Sequence, residues 1–160
     1  MDSFETLLSE FCEKTGLALQ SSKDGSVDLV VDGFDVSVQY RSDKDDCVLF
    51  TLPLYDTEPE PCMMRRALEL AANGAGTGGH FLGIKEGMFV LSSVVKMDGL
   101  SAEVFAERLI SLANTTRRVA ESLASAVAED VVERVEKEES GVVLDVDESN
   151  GASPEFAIRV

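Results

Sequence analysis

The sequence contains no tryptophan, a single histidine, three cysteines, four prolines and only 14 basic residues against 30 acidic ones. Each scarcity excludes something. With one histidine, His80, any Ser/His/Asp or Cys/His site would have to use that residue, and no GxSxG or other nucleophile context accompanies the serines. A histidine beside a glycine loop at a strand end reads as a surface or packing residue. Cys12, Cys47 and Cys62 are odd in number and far apart, without CxxC or Cys/His spacing, so they suit reduced core thiols better than zinc or a disulfide framework. The shortage of Lys and Arg leaves a net charge of −16. That charge repels phosphate backbones and anionic headgroups, so neither nucleic acid nor a membrane surface is an expected partner. No apolar run approaches the ~20 residues of a bilayer span, and the start MDSFETLLSEFCEKTG is acidic where a signal peptide would be basic. A cytoplasmic protein is the expectation.

Two motifs that could carry chemistry fail on context. Gly74, Gly76 and Gly79 match GxGxxG by spacing, but dinucleotide binding needs that loop between a strand and a helix, and here it follows a helix and precedes a strand. Acidic pairs such as Asp45 and Asp46 lie in polar runs, and no DxDxDG calcium loop occurs. The sequence therefore points to no enzyme, no catalytic residues, no metal and no cofactor.

What remains is one domain's worth of alternating elements: 160 residues, 44% of them hydrophobic, enough to bury about two-thirds of the unfolded surface. Phe4, Leu7, Leu8, Phe11 and Cys12 recur at helical spacing, Asp2 and Glu5 have capping-box spacing, and Gly16 stops this first helix. VDLVV and FDVSVQY flank Asp32-Gly33, a strong hairpin signal because both turn positions favour positive φ. CVLFTLPLY adds a third strand, whose Pro53 belongs at an edge or a strand end. CMMRRALELAAN, opened by Pro61, is a second helix with apolar residues over more than one stripe, which predicts burial of two faces, one of them against another subunit. HFLGI and MFVLSSVV form two more strands. The last helix opens at Ser101, with Leu100 and Phe105 as a hydrophobic staple, and its stripe runs through Phe105, Leu109, Leu112, Thr116, Val119, Leu123, Val127 and Val131. From Glu129 to Glu148 nine acidic residues stand against two basic ones. This divides the chain into a domain over 1–128 and an acidic, partly disordered extension over 129–160, with VVLDV at 142–146 as a short strand or docking segment.

The predicted fold is α+β: helix, three-strand antiparallel meander, helix, two strands and a long C-terminal helix. That order resembles class I type III secretion chaperones, the CesT/Tir-chaperone family. The likeness extends to an acidic amphipathic first helix, LLSEFCEKTGLAL, then the Asp-Gly hairpin, then a run from LELAANGAGTGG through FLGIKEGMFVLSSVV to LSAEVFAERLISL. It covers roughly Asp2 to Ala124 and leaves out the acidic end. The resemblance implies a homodimer that holds the N-terminal chaperone-binding segment of a secreted effector in extended form, keeping it soluble and export-competent without ATP, with the secretion ATPase as a further partner. The second helix and the strand after it would make the dimer contact, which places Met64, Leu68, Ala71, Leu82 and Ile84 there.

An extended client can add a strand to an open sheet edge and press apolar anchors into grooves beside the first helix. The candidate effector-binding residues are Phe4, Leu7, Leu8, Phe11, Leu29, Val31, Val36, Val38, Leu49 and Phe50; most of these positions suit a plain core equally well. A second reading keeps the fold and changes the task, to an acidic module that sequesters a basic regulator through its charged end. Salt separates the two, since a charge-driven complex weakens strongly on screening.

Overall fold

The computed structural model of the chain describes residues 2–140, apart from 18–19, 22–25, 44–45, 56–57 and 73. In chain order the elements are α1 (Asp2–Thr15), β1 (Gln20–Ser21), β2 (Ser26–Val31), β3 (Phe34–Arg41), β4 (Cys47–Pro53), α2 (Pro61–Ala72), β5 (Phe81–Lys85), β6 (Met88–Lys96) and α3 (Ala102–Ser140). The six strands make one antiparallel sheet in the order β1-β2-β3-β4-β6-β5. The meander and the second pair of strands are therefore a single sheet, joined where β4 lies beside β6. The two-residue β1, absent from the sequence-based expectation, pairs with Val27 and Asp28.

Local chemistry accounts for the joints. Asp32 and Gly33 sit at φ 55° and 85° between β2 and β3, and Glu86 and Gly87 at 54° and 81° between β5 and β6, two tight reversals with positive φ at both turn residues. Pro53 is the last residue of β4, where its missing N–H costs no inner ladder bond, so the strand itself is central rather than an edge. Ser101 caps α3: its Oγ accepts from Val104 N at 3.4 Å and its carbonyl from Phe105 N at 2.9 Å.

Alternation decides which face is covered. Val27 and Leu29 of β2, Val36 and Val38 of β3, Val48, Phe50 and Leu52 of β4, and Leu91 of β6 are buried beneath α1 and the first half of α3. Full burial of each such side chain contributes about 1.5–3 kcal/mol. Among the described residues the opposite face carries no helix; it holds Ser37, Gln39, Thr51 and Ser92, together with half-buried Leu49 and exposed Val94 and Phe81.

A second, smaller core lies where α2 packs on the middle of α3: Met63 and Ala67 meet Val119 and Leu123, with Phe89 of β6 beneath them. Arg66 reinforces this contact through Glu129 of α3 at 2.8 Å. Only this one face of α2 is buried in the protomer. The other, with Met64 and Leu68, is open to solvent.

The apolar stripe of α3 is buried through Leu123 and half-buried at Val127, but Val131 is 53% exposed, so the stripe outlasts the domain that covers it. The composition change at Glu129 does not end the helix. It continues to Ser140, across the expected boundary at 128/129, aided by Arg134–Asp130 and Lys137–Glu133 pairs at i,i+4 spacing. The expected segment at 142–146 lies outside the described residues.

Candidate functional site

The stripe of α1 was expected to leave part of itself for a partner. Instead α1 is closed onto the sheet: Phe4, Leu7, Leu8 and Phe11 are each 6% exposed or less. Phe4 stacks on Tyr40 at 5.3 Å between centroids, and Phe11 stands edge-on to Phe105. Leu29, Val36, Val38 and Phe50 are equally buried. Eight of the ten candidate anchors are thus core, because a sheet whose inner face is mostly apolar needs the apolar side of α1 to close it. The two accessible ones are separated: Val31 lies at the end of β2 on the covered face, and Leu49 lies on the helix-free face.

An accessible apolar site does exist, at the end of α1. Phe11, Leu17, Val30, Val31, Leu109 and Ile110 line a groove of about 300 Å³ between α1, the last residues of β2 and the first turns of α3. Val30 is 61% and Ile110 56% exposed, large values for apolar side chains. Among the described residues β1 pairs β2 at Val27 and Asp28. Apolar pockets beside a strand edge are what an extended segment needs to bind with both backbone and side chains. At the rim Arg117 donates to Asp32 at 2.7 Å and lies over the Phe34 ring, which ties the β2–β3 turn to α3.

Of these groove residues Leu17, Val30, Leu109 and Ile110 were not among the sequence candidates. The signal was present for two of them: Val30 is apolar where the alternation Val27, Leu29, Val31 calls for an outward polar residue, and Ile110 stands off the α3 stripe.

A second open apolar surface lies across the molecule. Met64 is 41%, Leu68 73% and Ile84 49% exposed, Ala71 is exposed, and Leu82 is half-buried against the core. Four of the five residues assigned to a subunit contact are therefore accessible on the α2 face and on β5, an edge strand. Phe81, 66% exposed, lies on the other face of the same edge strand.

The glycine loop is built for packing. A Cβ on Gly76 would stand 2.7 Å from the Leu70 carbonyl oxygen, and Gly78 lies against Thr115 of α3, so bare backbone is required at both places. His80 is buried at the loop's end, with Nε2 3.3 Å from Ser111 Oγ. Burial, with the positive charge of Arg108 in second place, holds its imidazole below the usual histidine value. On α1, the Cys12 thiol is pushed up by burial, which makes it less reactive.

The family model for the Tir chaperone protein (CesT) family matches residues 6–119. The chain belongs to this family. It is a type III secretion chaperone whose partners are effectors, in a family of chaperones rather than enzymes. No curated protein matches it in sequence. Among solved structures it is similar to the chaperone–effector complex of HopA1 and SchA, at TM-score 0.62 and 19% identity over 74% of this chain and 94% of that one. It is also similar to the ExsC–ExsE complex, at 0.59 and 20% over 72% and 89%. A third is the Yersinia pestis type III secretion chaperone SycH in complex with a stable fragment of YscM2, at 0.54 and 17% over 71% and 97%. At these identities the likeness concerns the fold. Among the described residues no helix is long and apolar enough to cross a membrane.

Proposed function

We propose that this CesT-family chaperone holds an effector's chaperone-binding segment in extended form along β2, with apolar client side chains seated in the groove lined by Leu17, Val30, Val31 and Ile110. The observation that supports the assignment is the clustering of exposed Val30 and Ile110 around one apolar groove at the end of β2. Backbone pairing supplies affinity for any extended segment, and the groove selects those with apolar side chains at alternate positions.

The same reading includes a homodimer, formed through the α2 face and the β5 edge, so that each assembly offers two client grooves. It also includes a cytoplasmic location and the secretion ATPase as a later partner. Exposed Leu68 and Ile84 support the dimer, since a soluble monomer rarely leaves so many large apolar side chains on one surface.

Val30→Asp and Ile110→Asp test the groove. Each removes an anchor and forces a carboxylate against apolar client atoms, so affinity for a co-expressed effector segment should fall at least about tenfold, the equivalent of ~1.4 kcal/mol. Because both side chains are exposed, the melting temperature should stay within a few degrees of the parent's. Unchanged capture by both variants would move the client site to the helix-free face around Leu49.

A further inference from the structure

The family match ends at residue 119, yet α3 continues to Ser140. At about 100° per residue, Val127, Val131 and Val135 fall on one side of its distal half with Ala124, Ala128 and Val132. They occupy an apolar sector about 140° wide. Val131, Val132 and Val135 are 53%, 56% and 49% exposed. Val127 at one edge still packs against the second core, but beyond it the sector faces away from α2, because the residues that meet α2, Ala126, Glu129 and Glu133, lie on the other side. Both distal basic residues lie outside the sector and are neutralised within the helix, Arg134 by Asp130 at 2.6 Å and Lys137 by Glu133 at 2.6 Å. Glu136 flanks the sector on one side, Glu121 and Glu138 close it at its two ends, and Arg134, paired with Asp130, stands at the other edge. Ala124, Ala128, Val131 and Val135 follow each other at steps of four, three and four, the spacing of a two-helix seam.

We propose that the distal half of α3 is a docking surface for a basic amphipathic helix of another protein, at a site separate from the effector groove. The seam spacing selects a helix over an extended strand, and the surrounding glutamates select Lys and Arg at the partner's flanking positions. A second copy is a poor occupant: two such helices would bring the same glutamates together. Residues 141–160 are a poor occupant for the same electrostatic reason, with four acidic residues against one basic. The effector groove is distant, since Ile110 and Val131 are 21 residues apart on the helix, about 30 Å.

The test uses the full chain and a fluorescent synthetic helix of about four turns, with leucine along its seam and Lys or Arg at its flanks, read by anisotropy at near-physiological salt. Two control peptides carry glutamate at the flanks, or the same composition scrambled so that the seam is lost. Binding of the basic seam peptide, weakened at least tenfold in both controls, is the expected result. The double variant Val131→Gln/Val135→Gln removes the apolar seam at constant charge and with better helix formers. It should weaken binding at least tenfold while the helical circular dichroism, the melting temperature and effector capture hold. No binding of the basic peptide, equal binding of the scrambled one, or no loss in the double variant would each overturn the proposal. So would a smaller assembly mass of the free double variant, which would make a second copy the occupant. A tenfold gain in peptide binding by the full-length variant Val143→Gln/Leu144→Gln would instead assign the surface to the chain's own end.

Discussion

The ring of Phe11 stands edge-on to that of Phe105, with centroids 4.9 Å apart and planes at 66°, and Phe105 in turn leans on Phe50 at 5.1 Å. Three aromatic rings thus link α1, α3 and the central strand β4. Phe11→Ala should therefore cost roughly 3–5 kcal/mol of stability, as large-to-small changes in packed cores do. Urea unfolding of the free protein measures it. A loss below ~1 kcal/mol would mean that α1 is only loosely held and that its apolar side is available to clients after all.

The α2 face gives a separate expectation. Leu68 is 73% exposed and touches neither core, so Leu68→Asp should leave the protomer's stability within about 0.5 kcal/mol of the parent, as surface changes usually do. Yet it should convert a dimer to a monomer by light scattering at micromolar concentration. A mass unchanged by this variant and by Ile84→Asp would place the subunit contact elsewhere.

His80 sets a pH dependence. Its pKa in the folded state lies below its value in the unfolded chain. From about one pH unit above 6.5 upward neither state binds the proton appreciably and the group is neutral toward stability. As pH falls below that point the unfolded chain takes up a proton that the buried imidazole refuses, so stability is lost until the folded pKa is reached and is level beneath it. Urea midpoints should drop between about pH 7.5 and 5.5, and less so in His80→Gln, which keeps a partner for Ser111 and does not titrate. An equal drop in both proteins would show that His80 is uncoupled from folding. Glu103, held at about 2 chiefly by its hydrogen bond from Lys14, acts in a different window. A carboxylate with a depressed pKa contributes stability above its unfolded value near 4.5 and loses it as pH falls toward 2, below the range in which His80 acts.

The elements of this fold were largely legible in the sequence because most of their signals are local. The Asp32-Gly33 reversal, the Ser101 cap and the glycine after α2 each depend on the conformation of one or two residues, and the α2 stripe overran one face as its two-sided pattern required. β1 was not legible, since two residues carry no periodicity. Depth of burial was not legible either: spacing shows that Phe4, Leu7, Leu8 and Phe11 share a side of α1, but whether that side is closed depends on how much sheet lies beneath it. The groove was legible only as exceptions. Val30 and Ile110 break the patterns of their own elements, and a residue that violates its element's pattern says more about a surface than one that obeys it. At the far end of α3, acidic composition suggested a loss of order, whereas i,i+4 pairing and frequent Glu and Val suit a continued helix.

The sheet order has a consequence for how the chain reaches this state. β4 and β6 are spatial neighbours, but α2, the glycine loop and β5 intervene, and Cys47 finds its partner at Lys96. The two hairpins can close by themselves, whereas the β4–β6 ladder must wait for a long excursion to be gathered in, each doubling of which adds about 0.6 kcal/mol of closure entropy. Formation of that ladder is therefore the natural slow step, in line with the slower folding of topologies rich in distant contacts. Because α2 lies within the excursion and the edge strand β5 is carried with it, neither has a fixed place before the ladder forms. In the proposed dimer, subunit recognition would then come after protomer folding.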